Sequence, residues 1–259
     1  MQSIFERHEN KYLISKEQGE AFKKILARHM EPDSTAKLYD GSPQGNFGEY
    51  LVQNIYYDNE SWEVIRRSIE KPLYKEKMRL RCYGIPDRES RVFLELKKKY
   101  KGVVYKRRAA IPYYELSFKS PGDIISEQNS QILRELNFYM VKTQVMERVY
   151  ITYKRTAFTG IDQKGLRVTF DADLRFRLGE LNFLNPNCGT LLLPKDMFVM
   201  EIKALGSMPL WLAHALCEHR LFPAPFSKYG RCYTDFIIKQ PEVMLEMTQK
   251  IKKEEKISA

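Results

Sequence analysis

Apolar and polar residues alternate along much of this chain with a period of two, as expected of strands that bury one face. In Lys75-Glu76-Lys77-Met78-Arg79-Leu80-Arg81, one face carries Lys75, Lys77, Arg79 and Arg81. Glu76, Met78, Leu80 and Cys82 fall on the other. Over 91–99, Phe93, Glu95, Lys97 and Lys99 oppose Val92, Leu94 and Leu96, and over 103–108 Lys106 and Arg108 share a face. The same alternation predicts strands over 4–13, 50–57, 143–156, 166–175 and 197–204. In 166–175, Arg167, Thr169, Asp171, Asp173 and Arg175 oppose Val168, Phe170, Ala172 and Leu174. In 197–204, Glu201 and Lys203 oppose Met200 and Ile202.

Helices fall between these strands. Ser15 and Gln18 form a capping box that opens a helix to about residue 28. Ser61 is predicted to cap a short helix running to Glu70 before Pro72. A helical stretch over 114–139 is divided at Pro121-Gly122, Pro209 starts a helix to about 219, and another covers 228–239. Residues 40–46 read as a loop on turn chemistry. Residues 240–259 form a charge-balanced tail with Val243, Met247 and Ile251 at helical spacing. With no internal repeat and no linker, the expected organisation is one domain over 1–239 followed by that tail. The pattern predicts an α+β fold with about eight antiparallel strands, each with one charged face. Those faces either cover the outside of a half-buried sheet or point inward around a wet tunnel. Lys and Arg cannot line a dry interior unpaired, and like charges on adjacent strands repel.

Charge sharpens the choice. Between Lys75 and Arg108 there are 13 lysines and arginines against 4 acidic residues, so this span carries +9 while the whole chain carries +10. A one-signed field concentrated on consecutive strands points to a polyanion. No apolar run approaches the roughly 20 residues of a membrane helix, and the N-terminus enters structure without a secretory pattern. Cys82, Cys188, Cys217 and Cys232 are far apart and form no CxxC, which leads us to expect reduced thiols in a cytoplasmic protein. His8, His29, His214 and His219 lack metal-ligand spacing. Tyr83, Tyr100 and Tyr105 beside basic residues resemble a nucleic-acid surface, but inward-facing charge would exclude a duplex.

A series of motifs then occurs in a familiar order. These are Phe5-Glu6-Arg7-His8-Glu9-Asn10-Lys11-Tyr12, Ile55-Tyr56-Tyr57-Asp58-Asn59-Glu60, Arg79-Leu80-Arg81-Cys82-Tyr83-Gly84 and Phe93-Leu94-Glu95-Leu96-Lys97. Lys154-Arg155-Thr156-Ala157-Phe158, Arg167-Val168-Thr169-Phe170-Asp171, Glu201-Ile202-Lys203 and Phe226-Ser227-Lys228-Tyr229 follow. Over roughly 4–238 the chain resembles the catalytic domain of the vacuolar transporter chaperone (VTC) polyphosphate polymerases, in the triphosphate tunnel metalloenzyme superfamily. One face of the first strand reads Arg7-x-Glu9-x-Lys11, where the thiamine-triphosphatase and adenylate-cyclase branch has ExExK. That departure favours the polymerase-like branch. The resemblance covers neither a phosphate-sensing domain nor membrane helices, and so implies neither inositol-phosphate regulation nor translocation.

The resemblance implies an eight-stranded antiparallel β-barrel tunnel whose basic lining holds triphosphate or polyphosphate. It implies phosphate ligands at Lys11, Lys77, Arg79, Arg81, Lys97, Lys106, Arg108, Arg155, Arg167, Lys203, Ser227 and Lys228. Lys228, Arg79 and Arg81 would act on the transferring phosphate, and Glu201 would hold a divalent metal, Mn²⁺ or Mg²⁺. Glu9 and Glu95 are expected to orient lining cations. The implied activity moves the γ-phosphate of a nucleoside triphosphate, ATP first, onto a polyphosphate chain. A metal-dependent triphosphatase or polyphosphatase and a non-catalytic polyphosphate-binding module stay open at this point.

Overall fold

The computed structural model describes residues 7–34, 48–101, 103–117 and 130–239. The loop expected over 40–46 and the tail expected over 240–259 lie outside the described residues. The chain order is β1 (Arg7–Ser15), α1 (Lys16–Leu26), β2 (Met30–Pro32), β3 (Glu49–Asp58), α2 (Glu63–Ile69), β4 (Tyr74–Tyr83), β5 (Arg91–Tyr100) and β6 (Val103–Pro112). A 3₁₀ turn (Tyr113–Ser117), α3 (Gln131–Thr143), β7 (Met146–Gly160), β8 (Arg167–Arg177), β9 (Thr190–Leu191) and β10 (Met197–Leu205) follow. The last described elements are α4 (Leu210–Glu218), α5 (Lys228–Cys232) and a π turn (Tyr233–Ile237).

The fold is an antiparallel, sheet-rich α+β arrangement in two compact units. The first takes in Met1–Leu51, Tyr153–Leu174 and Leu193–Phe226; the second takes in Val52–Thr152, Arg175–Leu192 and Ser227–Ala259. In the first unit, strand neighbours run β1-β10-β8-β7, with β2 on β7. In the second they run β7-β3-β4-β5-β6. Among the described residues β1 pairs only with β10 and β6 only with β5, so the sheet is not closed. The eight long strands match the number expected, and the closed eight-stranded barrel is not what these ladders form.

Each unit has its own core on the apolar face of its strands. In the first, Tyr12, Ile14, Val168, Phe170, Met200 and Ile202 pack with Phe22 and Leu26 of α1 and Leu212 and Leu216 of α4. In the second, Ile55, Met78, Leu80, Leu94 and Leu96 pack under Leu133, Leu136 and Tyr139 of α3. A salt-linked seam ties α3 down from its polar edge: Lys98 Nζ and Arg107 Nε reach Glu135 at 2.5 and 2.7 Å. These contacts fix which face of β4, β5 and β6 is left for charge.

Local signals set most boundaries. Ser15 caps α1 and Gln18 closes the box, as the spacing predicted. The expected Ser61 cap of α2 is not formed. The N-cap is Trp62, with a left-handed φ of 61° and no capping side chain of its own. Asp58 supplies the acceptors instead, taking the Val64 and Ile65 amides at 2.9 Å each. A carboxylate from the preceding strand is the stronger acceptor, so it displaces the local serine. The helix expected over 228–239 narrows to Lys228–Cys232 followed by the π turn. In β8 the ladder with β10 ends at Asp171, and Asp173 adopts φ 46°, a bulge that interrupts the expected five-residue charged face.

Gly19 lets α1 approach β10. A Cβ at this position would lie 2.3 Å from the Phe198 ring. Alanine would favour the helix by up to about 1 kcal/mol, but overpacking a core costs about 1–3 kcal/mol. We expect Gly19→Ala to lower the denaturation midpoint. An unchanged or raised midpoint would show that α1 shifts freely over Phe198.

Candidate phosphate-binding site

The strand register of the second unit brings the basic residues into rows. Lys77 pairs with Lys97, and Lys97 with Lys106. One row along, Tyr56 pairs with Arg79, Arg79 with Glu95, and Glu95 with Arg108. The next row is Asn54, Arg81, Phe93 and Ala110. Three lysines directly abreast repel one another. Lys75, abreast of Lys99, shows the same pressure: burial, then the Lys99 and Lys71 charges, lower its pKa.

Glu95 holds the cluster together. Its side chain is 2% exposed. Oε2 accepts from Arg79 Nε at 2.9 Å and lies 2.8 Å from Arg79 Nη2. Oε1 lies 2.6 Å from Lys106 Nζ and 2.8 Å from Arg108 Nε. Burial alone would raise the Glu95 pKa, but Arg79, Arg81 and Lys106 hold it far below the ordinary carboxylate range. One negative charge orders three cations without neutralising them.

Neighbouring polar groups aim the arginines. Buried Arg81 donates from Nε to Asn54 Oδ1 at 2.8 Å, and Asn54 is itself fixed by donating to the Ile151 carbonyl at 3.1 Å. Arg79 Nη1 donates to the Tyr56 hydroxyl at 3.2 Å, and Arg108 Nη2 to the Tyr83 hydroxyl at 3.0 Å. Although burial raises it, the Tyr83 phenol titrates below its usual range because Arg81 and Arg108 flank it. Arg108 also stacks 3.8 Å over the Phe93 ring. Lys77 Nζ donates to Ser227 Oγ at 3.3 Å, which places the start of α5, Ser227 and Lys228, beside the lysine row. Lys97 lies exposed in the middle of that row.

The first unit carries the remaining expected residues with signs mixed. Lys11 pairs with Glu201, and Glu201 with Thr169; Glu9 pairs with Lys203, and Lys203 with Arg167. Lys203 Nζ lies 2.5 Å from Glu201 and 3.9 Å from Glu9, and Lys11 Nζ lies 3.6 Å from Glu9. Lys11 also donates to the Phe226 carbonyl at 3.0 Å. Buried Arg155 forks onto Asp171 at 2.6 and 2.8 Å, and Arg167 donates to Asp33 at 2.7 Å and to Tyr50 at 3.3 Å. Burial opposes ionisation of Glu201, yet Lys203, Lys11 and Arg155 hold its pKa well below the usual range. Among the described residues no group of three or more His, Cys, Asp or Glu side chains could hold a metal by itself.

Register therefore assembles Lys77, Arg79, Arg81, Lys97, Lys106 and Arg108 on one face, with Ser227 and Lys228 at its margin. Lys11, Arg155, Arg167, Glu201 and Lys203 gather in the other unit, each of the arginines committed to an aspartate. Sequence reasoning overlooked Asn54, Tyr56, Asp33 and Tyr50, which orient the arginines. Tyr50, Asn54 and Tyr56 share a face of β3, but alternation carries no register and so did not tie them to the arginines.

The VTC domain family matches the chain over residues 6–237. No curated protein matches it. Among solved structures, the PH1819 protein from Pyrococcus horikoshii OT3 aligns over 89% of this chain and 99% of its own, at 13% identity and a TM-score of 0.43. A chain of the Schizosaccharomyces pombe Mediator head module aligns over 89% of this chain and 95% of its own, at 8% identity and a TM-score of 0.38. Likenesses this remote carry no argument. With the family matching nearly its whole length, the chain belongs to the VTC domain family, whose members have polyphosphate-related functions.

Proposed function

We propose that this protein is a polyphosphate polymerase that transfers the γ-phosphate of a nucleoside triphosphate, ATP first, to the end of a polyphosphate chain. The observation that carries this reading is the lysine row Lys77-Lys97-Lys106 beside arginines that one buried carboxylate holds in place. Such a surface stores repulsion that a multivalent phosphate would relieve. Arg79, Arg81 and Arg108 offer planar donors to phosphate oxygens, while the lysines supply mobile charge along the chain.

In the reaction, a terminal oxygen of polyphosphate attacks the γ-phosphorus, the bond to the β-bridging oxygen breaks, and the nucleoside diphosphate leaves with that electron pair. The protein's task is positioning and charge neutralisation. Arg79 and Arg81 would bind the transferring phosphate, and Lys228 would meet charge that grows as the bridging bond breaks. The donor set fits a divalent metal only as part of its coordination. Glu201, with Glu9 near the same ammonium, would offer the metal hard oxygen ligands. When bound, Mn²⁺ or Mg²⁺ would neutralise charge on the phosphate oxygens.

The deciding assay incubates purified protein with ATP and Mn²⁺ or Mg²⁺ and resolves the products. Long-chain polyphosphate with ADP is expected. Orthophosphate without chains would replace the polymerase by a hydrolase, and no turnover with any metal or nucleotide would leave a binding module.

Binding should follow the lining and not net charge. Replacing Arg79 and Arg81 together by Ala removes contacts worth about 1.5–3 kcal/mol each, so calorimetry should show triphosphate affinity falling at least about 100-fold. Replacing Lys98 and Arg107 by Ala removes the same charge from the face that anchors α3. That variant should lose less than about tenfold. Equal losses would mean a diffuse surface patch.

Glu201→Gln separates two roles for the carboxylate. As a metal ligand it is needed for turnover, and the variant should bind triphosphate without metal as wild type does, yet lose at least about tenfold in metal-stimulated rate, or about 1.4 kcal/mol. Wild-type turnover at every metal concentration would make Glu201 a counter-ion for Lys203 and Lys11.

A further inference from the structure

Asp58 closes β3 and is wholly buried. Its Oδ1 accepts the Asn59 and Val64 amides at 2.9 Å each, and its Oδ2 accepts the Ile65 amide at 2.9 Å and the Tyr229 phenol at 2.7 Å. One carboxylate thus satisfies the second and third amides of α2, with Asn59 Oδ1 taking the first at 2.8 Å, and grips α5 by its second residue. The Tyr229 ring stacks on Tyr56 with centroids 4.9 Å apart. On its far side from Asp58, that stack leads to the site, because the Tyr56 hydroxyl accepts from Arg79.

The helix being gripped has five residues, too few to hold its own geometry in water. Its start is nevertheless where Ser227 takes both the Gly230 amide, at 3.1 Å, and Lys77. Placement of Ser227 and Lys228 against the lysine row therefore depends on side-chain anchors, and Tyr229 is the buried one next to them. We propose that Tyr229 is a positioning residue: held by Asp58 and stacked on Tyr56, it sets where Ser227 and Lys228 meet a phosphate chain. This rests on the reading that the basic face binds phosphate. It assigns to Tyr229 a role exercised through Lys228, without contact with the phosphate.

A thermodynamic cycle tests it. Affinity for inorganic triphosphate is measured by calorimetry for wild type, Tyr229→Phe, Lys228→Leu and the double variant, with denaturation midpoints alongside. Tyr229→Phe keeps the stacked ring and removes the hydrogen bond to Asp58. Loss of one charge-assisted phosphate contact weakens binding by about tenfold or more, so a loss of about tenfold is expected in the wild-type background. In the Lys228→Leu background the same change should alter affinity less than about twofold, because the group it positions is gone. Equal losses in both backgrounds would make Tyr229 a general stabiliser, and no loss in either would remove it from the site; both overturn the proposal. Should Tyr229→Phe fail to fold, Asp58→Asn, which weakens the same hydrogen bond and leaves Tyr56 and Arg79 unchanged, enters the same cycle with the same expectations. If wild type binds no triphosphate, the phosphate-binding reading fails and the positioning role with it. Additive losses in a binding-competent protein refute the positioning role alone.

Discussion

The charged face of the second unit depends on one carboxylate. Without Glu95 on β5, Arg79 on β4 and Lys106 and Arg108 on β6 would face one another across that strand with no carboxylate to offset their mutual repulsion. With it, the strands can pair in register and the cations keep fixed directions. The compensation is partial, since one charge faces three. A fully neutralised cluster would be a stable ion-pair network with little remaining pull on an anion, and an uncompensated one would strain the sheet. Burial strengthens the arrangement because the carboxylate, lacking solvent, relies on its cations to stay ionised.

The contrast with the first unit is informative. There, acids and bases mix within the rows, and Arg155 and Arg167 are tied to aspartates. Ion pairs of that kind fix geometry, and desolvation offsets much of their Coulomb gain. The second unit leaves a surplus of positive charge, while the first spends its charge on internal order around Glu201 and Lys203. The two faces are thus built for different work even though both come from the same alternation of side chains.

Much of this was legible from period-two alternation. It placed all eight long strands, the faces of β4, β5, β6 and β10, and the capping box at Ser15. Ordered motifs then identified the family. What alternation could not reveal was which residues on one face meet across strands, because register is set by ladders between distant segments. Hence Asn54 under Arg81 and Asp33 beside Arg167 were invisible, and the three-lysine row was only a count of charge. The displaced Ser61 cap has the same origin: a carboxylate fixed by the preceding strand outcompetes a local hydroxyl. Closure of the sheet was the largest overreach, since an even number of amphipathic strands is equally compatible with an open order ending at β1 and β6.

That open order has a consequence for how copies of the protein behave in solution. β6 has a single strand neighbour among the described residues, and Val103, Val104 and Tyr105 stand exposed on it. A long edge of this kind is a template for pairing with another chain, and such edges are commonly guarded by charge. Lys106, Arg107 and Arg108 occupy the middle of the same strand. Two such edges approaching each other would bring six like charges within a few ångströms, a repulsion that opposes edge-to-edge pairing of two copies.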